Sequence, residues 1–302
     1  MAFGLITYDD ASRREDLLDV LGDVSPDETP LLTLFGSSES RGTLHEWLTY
    51  NQARPTSVTA DIEGADASDV DLVAPSRANN VTQIIKDVIK VSRTERRVNV
   101  AAVGDPYAFQ KAESLKRLKS KMEFAVLNAV RASGSSGVAR QMNGIDAWIT
   151  TNVTARSSGT SFTETELNDM VADVWTSVDP DKVFDMVLCT FRIKQTIAGF
   201  SGNSTRYIDA TDRRLVKDVL VYESSGGSHR IFAHKDVRNN AGSTTVYGIR
   251  EDLWKVAYLD KPMFEELAKT GDSDKGHWVT EFTLESLEQR ASVKRTGYNQ
   301  NG

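Results

Sequence analysis

Apolar side chains recur at spacings of three and four between Asp105 and Ala132, the pattern of one long amphipathic helix. Ala108, Ala112, Leu115, Leu118 and Met122 make its stripe, while Lys111, Lys116, Arg117, Lys119 and Lys121 cover the other faces. Further along, Phe124, Val126, Leu127 and Val130 add a second apolar side beside Ala125 and Ala129. The pattern predicts a half-exposed start with a basic back, and a buried end. Asp105 suits the N-cap and Pro106 the first helical position, where a missing N–H costs nothing. The run Ser133-Gly134-Ser135-Ser136-Gly137 stops the helix and can supply a left-handed cap. At 1.5 Å per residue the rod spans on the order of 40 Å, more than a compact core requires.

The patterning before the helix is weaker. Asp16–Leu21 predicts a short amphipathic turn and Leu31–Phe35 an apolar patch after Thr29-Pro30. Gly22, Ser25-Pro26 and Gly36-Ser37-Ser38 separate them, so this arm, Met1 to about Ser40, has no core of its own and needs another surface. Thr43–Tyr50 and Asn80–Val91 are strand candidates for a hairpin. The long polar connection between them carries Asp61, Glu63, Asp66, Asp69 and Asp71, and connections of that length are usually functional or interaction loops. Its acidic spacing fits no calcium loop, so it reads as a solvated tip.

After the helix, Gly144–Thr150 predicts a buried strand leading into a Thr/Ser-rich stretch to Thr163. Thr163 with Glu166 is a capping box opening a helix with Leu167, Met170, Val171, Val174 and Trp175 on one face, ending before Asp179-Pro180. Val183–Cys189 predicts a core strand and Thr190–Phe200 a second helix, the centre of a separate α+β subdomain. From Leu215 the pattern turns to strands: Val219–Tyr222 paired with His229–Ala233, then Thr244–Ile249, Leu253–Leu259 and a long last strand Trp278–Arg295. Pro262–Thr270 reads either as a helical turn or as part of an irregular strand.

Composition narrows the class. A chain of 302 residues, 39% hydrophobic and 26% charged, can bury a sizeable core divided into two subdomains. The net charge of -7 argues against nucleic acid as the ligand of the whole surface, though the basic helix back can face a polyanion. Cys189 is the single cysteine, which excludes an internal disulfide and fits a reducing compartment. The amino terminus lacks the cationic and apolar regions of a secretory signal. No apolar run approaches the roughly eighteen residues of a spanning helix, so no membrane partner is assigned.

The search for chemistry returns no catalytic residue, no cofactor and no metal ligand. His229 and His234 are five apart in a strand, on opposite faces, and make a poor metal pair. The Gly199-Phe200-Ser201-Gly202 run follows a helix and lacks a phosphate-loop lysine, so it reads as a helix stop. Cys189 lies in an apolar strand as a core residue. Asp209, Asp212 and Asp218 interleave with Arg206, Arg213, Arg214 and Lys217 as a surface ion-pair network.

The order of parts resembles the major capsid proteins of tailed phages, the Hong Kong 97-type fold, and the local sequence is similar to the phage SU-ten major head protein branch. The residues carrying the resemblance are Thr29-Pro30-Leu31, Trp47, Asn80-Val81-Thr82-Gln83-Ile84 with Val91-Ser92, Gln110-Lys111, Met142-Asn143-Gly144-Ile145 and Val187–Phe200. It implies an α+β fold with an N-terminal arm (1–40), an extended β-hairpin loop (41–92), a peripheral domain (93–162) with a spine helix (105–132), an axial domain (163–250) and return strands of the peripheral domain (251–302). It also implies a non-enzymatic subunit that associates with itself as pentamers and hexamers of an icosahedral or prolate shell around double-stranded DNA. Portal, decoration or scaffolding proteins would be further partners, packaged DNA a non-specific contact, and the phage head, assembled in host cytoplasm, the location. Some relatives begin with a scaffolding prefix that a protease removes; no helix-rich charged prefix precedes this arm, so no large N-terminal cleavage is expected. No lysine–asparagine pair is assigned for covalent crosslinking. Two alternatives remain open at this point: an encapsulin-like compartment shell, and a cytosolic α+β enzyme whose long helix is merely surface.

Overall fold

The computed structural model describes residues 29–50, scattered positions from 57 to 66, 73–98, 104–177, 183–200, 221–240 except 238, 243–269 and 271–299. The elements in order are α1 (Pro30–Leu34), β1 (Gly36–Glu39), β2 (Leu44–Thr49), β3 (Ser76–Val81), β4 (Gln83–Ser92), α2 (Arg93–Arg97) and the long α3 (Pro106–Asn128). Then come α4 (Ile145–Trp148), β5 (Val153–Thr160), α5 (Glu164–Ser177), β6 (Met186–Cys189), α6 (Phe191–Ala198), β7 (Val221–Ser224), β8 (Gly227–Ala233) and β9 (Asn239–Asn240). β10 (Ser243–Ile249), β11 (Trp254–Leu267), β12 (Ser273–Ser286) and β13 (Val293–Asn299) close the chain.

Three sheets result. A four-stranded sheet runs β1-β11-β12-β4, a seven-stranded sheet runs β5-β13-β10-β6-β8-β7 with β9 beside β10, and β2 pairs with β3 alone. One apolar cluster joins Leu118, Met122 and Val126 of α3 to Trp254, Phe282 and Leu284 of the smaller sheet. A second joins Leu167, Met170 and Val174 of α5 to Phe184, Ile231, Val293 and Tyr298. Two strands serve both. Met186 and Leu188 of β6 enter the first cluster while Val187 and Cys189 enter the second, and in β10 Tyr247 and Ile249 part from Val246 in the same way. Side chains of a strand alternate between faces, so a strand walled by core on both sides must read as an unbroken apolar run.

The start of α3 is as expected, with the Asp105 carboxylate accepting the Tyr107 N–H at 3.0 Å and Pro106 in the first turn. Its end comes earlier, at Asn128 rather than Ala132, with Ala129 extended. The chain returning through Gly144 closes on it: the Gly144 N–H donates to Ala129 O at 2.8 Å, and a Cβ there would sit 2.8–2.9 Å from backbone atoms of Ala129, Ala125 and Val126. Gly134, at positive φ, lies beside the small Ser135–Val138 turn instead of capping the helix. The buried face also differs. Ser114, Leu118 and Met122 are buried, Ala108 and Ala112 are exposed, and Phe124 and Val130 lie more than half exposed.

Other expectations are corrected. Asn80–Val91 is not one strand: it breaks at Thr82, where the hydroxyl bonds the Glu281 carboxylate, so that β3 pairs with β2 and β4 joins β12. Gly144–Thr150 forms the single helical turn α4, and the Thr/Ser-rich stretch that follows holds β5, parallel to β13. Trp175 faces solvent. The long last strand is two strands separated by a 3-10 turn at Gln289–Ala291, and Pro262 lies in the irregular part of β11. The patch at Leu31–Phe35 finds its surface within the same chain, since Leu31 and Phe35 are buried in the first cluster. The hairpin β7–β8, the helices α5 and α6 and the strand β10 stand where the pattern put them. The Asp16–Leu21 turn, the 206–218 ion-pair cluster, Asp61, Asp69, Asp71 and the tail from 300 lie outside the described residues.

Candidate assembly surface

The arm is fastened by one buried carboxylate. Glu123 of α3, 1% exposed, accepts the Leu31 N–H at 2.7 Å and the Leu32 N–H at 3.0 Å, so its charge meets the free amides at the start of α1. His234 Nε2 lies 3.1 Å from the same carboxylate, and its Nδ1 accepts the Asp236 N–H at 3.1 Å. A nitrogen that accepts carries no proton, so Nε2 is the donor to Glu123. α3, α1 and the turn after β8 thereby meet at one side chain.

The hairpin β2–β3 is fastened by Trp47, whose indole N–H donates to Ser286 O at 2.9 Å and whose ring lies 5.7 Å from that of Trp148. Val81 at its base is buried, but Leu44, Leu48 and Tyr50 are exposed, as is Ile62 at the connection. Asn80 ties the hairpin base down, donating to Leu284 O at 2.8 Å and accepting the Asn143 N–H at 2.9 Å. An open groove of about 570 Å³ follows, between α3 and the free edge of β4, lined by Ile84, Lys86, Lys121, Phe124 and Gln141 among others. The exposed apolar side chains of the hairpin and of the open groove form the kind of surface that marks interaction sites.

The basic back of α3 is largely engaged within the chain. Arg117 and Lys121 both bond Asp87 of β4, at 2.9 Å and 2.5 Å, Lys116 pairs with Glu113 at 3.1 Å, and Lys111 stands 4.0 Å over the Phe264 ring. Lys119 is exposed. What the sequence shows as a strip of charge is mostly a set of ties between helix and sheet.

Among the described residues, no reactive constellation accompanies these surfaces. Ser224 Oγ lies 2.6 Å from His229 Nε2, and His229 Nδ1 donates to Phe184 O at 2.8 Å, the outline of a nucleophile and its base. However, Ser224 Oγ accepts the Gly226 N–H, the two grooves described lack both residues, and burial pushes the His229 imidazole below its ordinary value. The pair locks the β7–β8 turn. His234 is apart from it, on Glu123. Burial pushes the Cys189 thiol up to about 12, so it stays protonated and inert in the core. Gly199 ends α6. Among the described residues no group of three or more potential ligands could hold a metal, and no helix is long and apolar enough to cross a membrane.

A buried ion-pair network joins the last strand to α5. Arg295, 2% exposed, pairs with Glu166 and, at 2.7 Å, with Asp173, while the Tyr298 hydroxyl donates to Glu166 at 2.8 Å. Burial opposes ionisation of Glu166, yet the hydrogen bonds from Tyr298 and Arg295 hold its carboxyl below the usual range. Burial, aided by the Glu166 hydrogen bond, pushes the Tyr298 phenol up to about 12. Thr163 does cap α5, accepting the Glu166 N–H at 3.3 Å, but the Glu166 side chain turns to Arg295 instead of completing the box. Sequence reasoning missed Glu123, Asp87, Asn80 and Arg295. Only Glu123 left a signal, a lone carboxylate between Met122 and Phe124 in the apolar half of the helix.

Comparisons with known proteins cover nearly the whole chain. A family model described as SU10 major capsid protein matches residues 4–299. The major capsid protein of Escherichia phage Phieco32 is 21% identical over 332 aligned residues, covering 92% of each chain. Among solved structures, the capsid asymmetric unit of cyanophage A-1(L) is similar with a TM-score of 0.70 at 14% identity, covering 99% of this chain and 100% of that one. The capsid of a native GTA particle is similar with a TM-score of 0.67 at 10% identity, covering 97% of both.

Proposed function

The chain belongs to the SU10 major capsid protein family, with the α+β Hong Kong 97-type fold, and from that premise we propose how it builds a phage head. As a major capsid protein it is a structural subunit that self-assembles into a shell. Copies associate as pentamers and hexamers of an icosahedral or prolate head enclosing double-stranded DNA. Residues 1–40 act as the arm, 41–92 as the extended loop, α3 as the spine of the peripheral domain, and 163–250 as the axial domain. The observation that carries this reading is the projecting β2–β3 hairpin, fastened by Trp47 and otherwise presenting Leu44, Leu48 and Tyr50 to solvent. In a closed symmetric assembly every copy both offers and covers such a surface, and an obligate interface of this kind is large and apolar.

Portal and decoration or scaffolding proteins are further partners, and the head, assembled in host cytoplasm, is the location. DNA is met by charge without base readout. Lys119 contributes to that contact more than Arg117 and Lys121, which Asp87 holds. The subunit carries no reaction of its own. Particle sizing and negative-stain imaging of purified protein test the whole: closed shells hundreds of ångströms across are expected, and a stable monomer or dimer would overturn it. Shells filled with a protein cargo and free of nucleic acid would instead mark an encapsulin-like compartment.

A further inference from the structure

Glu123 is a buried carboxylate to which, among the described residues, no lysine or arginine is bonded: its partners are the two α1 amides and the Nε2–H of His234. Both side chains of the His234–Glu123 pair are almost wholly buried. With Nε2 donating to Glu123 and Nδ1 accepting the Asp236 N–H at 3.1 Å, the ring is neutral. A doubly protonated ring has two donors and no acceptor. Its Nδ1–H would face the Asp236 N–H, donor against donor. The ring can therefore take up a second proton only by breaking one contact.

Magnitudes decide which contact survives. A hydrogen bond between ionised partners is roughly twice as strong as a neutral one, and the bond to Glu123 becomes such a pair when the ring is charged. The Asp236 bond is neutral, and Asp236 lies half-buried on a turn beside exposed Lys235. A displaced N–H there can turn to water. The amide that anchors this turn also has an acceptor to spare: Asn128 Nδ2 donates to Asp236 O at 2.8 Å, while Asn128 Oδ1 is buried without a partner.

We propose that His234 is a proton-responsive joint. In mild acid Nδ1 takes up a proton, the Asp236 N–H bond opens, and the imidazolium stays on Glu123, so that the turn 234–237 shifts while α1 remains fastened. The charged groups around it do not duplicate the role. α1 carries none, Lys119 stands one turn before Glu123 on α3 and is exposed, and Lys235 and Asp236 lie on the turn itself. His234 N–H donates to Cys189 O at 2.9 Å, but the thiol there is neutral, with Lys194 of α6 the cation on that side. The other histidines lie elsewhere, His45 at Glu285, His229 at Ser224 and His277 at Glu265. The device needs no second copy, so its failure would leave the shell reading standing.

The test uses the purified full chain, taken from about pH 8 to about pH 5, across the range in which imidazoles ordinarily gain a proton. The ring nitrogen resonances of His234 follow its protonation, and amide exchange, corrected for the intrinsic rate, follows the contacts. Protection of the Asp236 amide should fall about tenfold as the ring is protonated, while Leu31 and Leu32 keep theirs within about twofold. His234→Gln, which offers an N–H to Glu123 but no titrating nitrogen, should abolish the step at Asp236. Where that variant does not fold, the wild-type resonances and exchange rates decide alone. A ring still protonated only on Nε2 at the acid end would overturn the proposal. So would a charged ring with Asp236 protection unchanged, a step that persists in His234→Gln, or loss of protection at Leu31 and Leu32 in parallel with the ring, which would mean that acid frees α1.

Discussion

Glu123 and Leu31, 92 positions apart in the chain, are joined by a 2.7 Å hydrogen bond from the Leu31 amide to a carboxylate that has almost no contact with solvent. Replacing Glu123 by Ala leaves two amides and the His234 imidazole without their acceptor, a loss of about 2–4 kcal/mol. Glu123→Gln keeps one oxygen and should cost about half as much. Denaturant midpoints give the totals, and hydrogen exchange at Leu31 and Leu32 should rise first. Unchanged protection there would show that the arm is held by packing alone.

Gly144 is required by space, since its φ of -89° suits any residue. Gly144→Ala pushes a methyl onto three backbone atoms at the end of α3, which cannot yield as a side chain could. A loss of about 2–4 kcal/mol is expected, with the melting temperature as the readout. A drop below about 0.5 kcal/mol would mean that the helix end moves freely.

Asp87 separates structural from electrostatic roles on α3. Arg117→Glu or Lys121→Glu places like charge beside a buried carboxylate and should lower stability, by about 1–3 kcal/mol. Lys119→Glu should leave stability within about 0.5 kcal/mol and reduce retention of packaged DNA. Equal DNA retention in Lys119→Glu shells would remove this face from any contact with the genome.

The Glu166–Tyr298 pair predicts the behaviour at both ends of the pH range. The Glu166 carboxyl is held low in the fold, so its contribution is present above the ordinary carboxylate value and is lost as pH falls through the lower folded one. The Tyr298 phenol is raised to about 12 from 10.0, so the unfolded chain ionises first and stability declines between those values as pH rises. Tyr298→Phe should flatten the alkaline decline in urea midpoints while lowering the neutral value. An unaltered alkaline limb would assign it to other groups.

How far the sequence could be read follows from which forces are local. Asp105-Pro106, the Thr163 cap and the apolar faces of α5 and α6 depend on neighbours within a turn, and they stand where the spacing put them. The end of α3 depends on Gly144, sixteen residues beyond Asn128, and no local pattern shows it. β5 is a strand because β13 lies beside it, since its own Thr and Ser carry no alternation. The ties made by Asp87 and Asn80 join segments far apart, so each reads as an ordinary polar residue in a strand. The projecting hairpin was legible because its apolar side chains have no partners nearby in sequence, and the structure leaves Leu48 and Tyr50 uncovered as well.

Val246 and Tyr247 are consecutive, yet one is buried in the core beneath α5 and the other in the core beneath α3. Bending the molecule about β10 would therefore open two interiors at once, and no strand there is free to act as a pivot. A push on the α5 side is handed through β6 and β10 straight to the core beneath α3. The hairpin, held at Trp47 and Asn80, and the segment 29–39, held by Glu123, Leu31, Phe35 and β1, are joined to these cores at their margins.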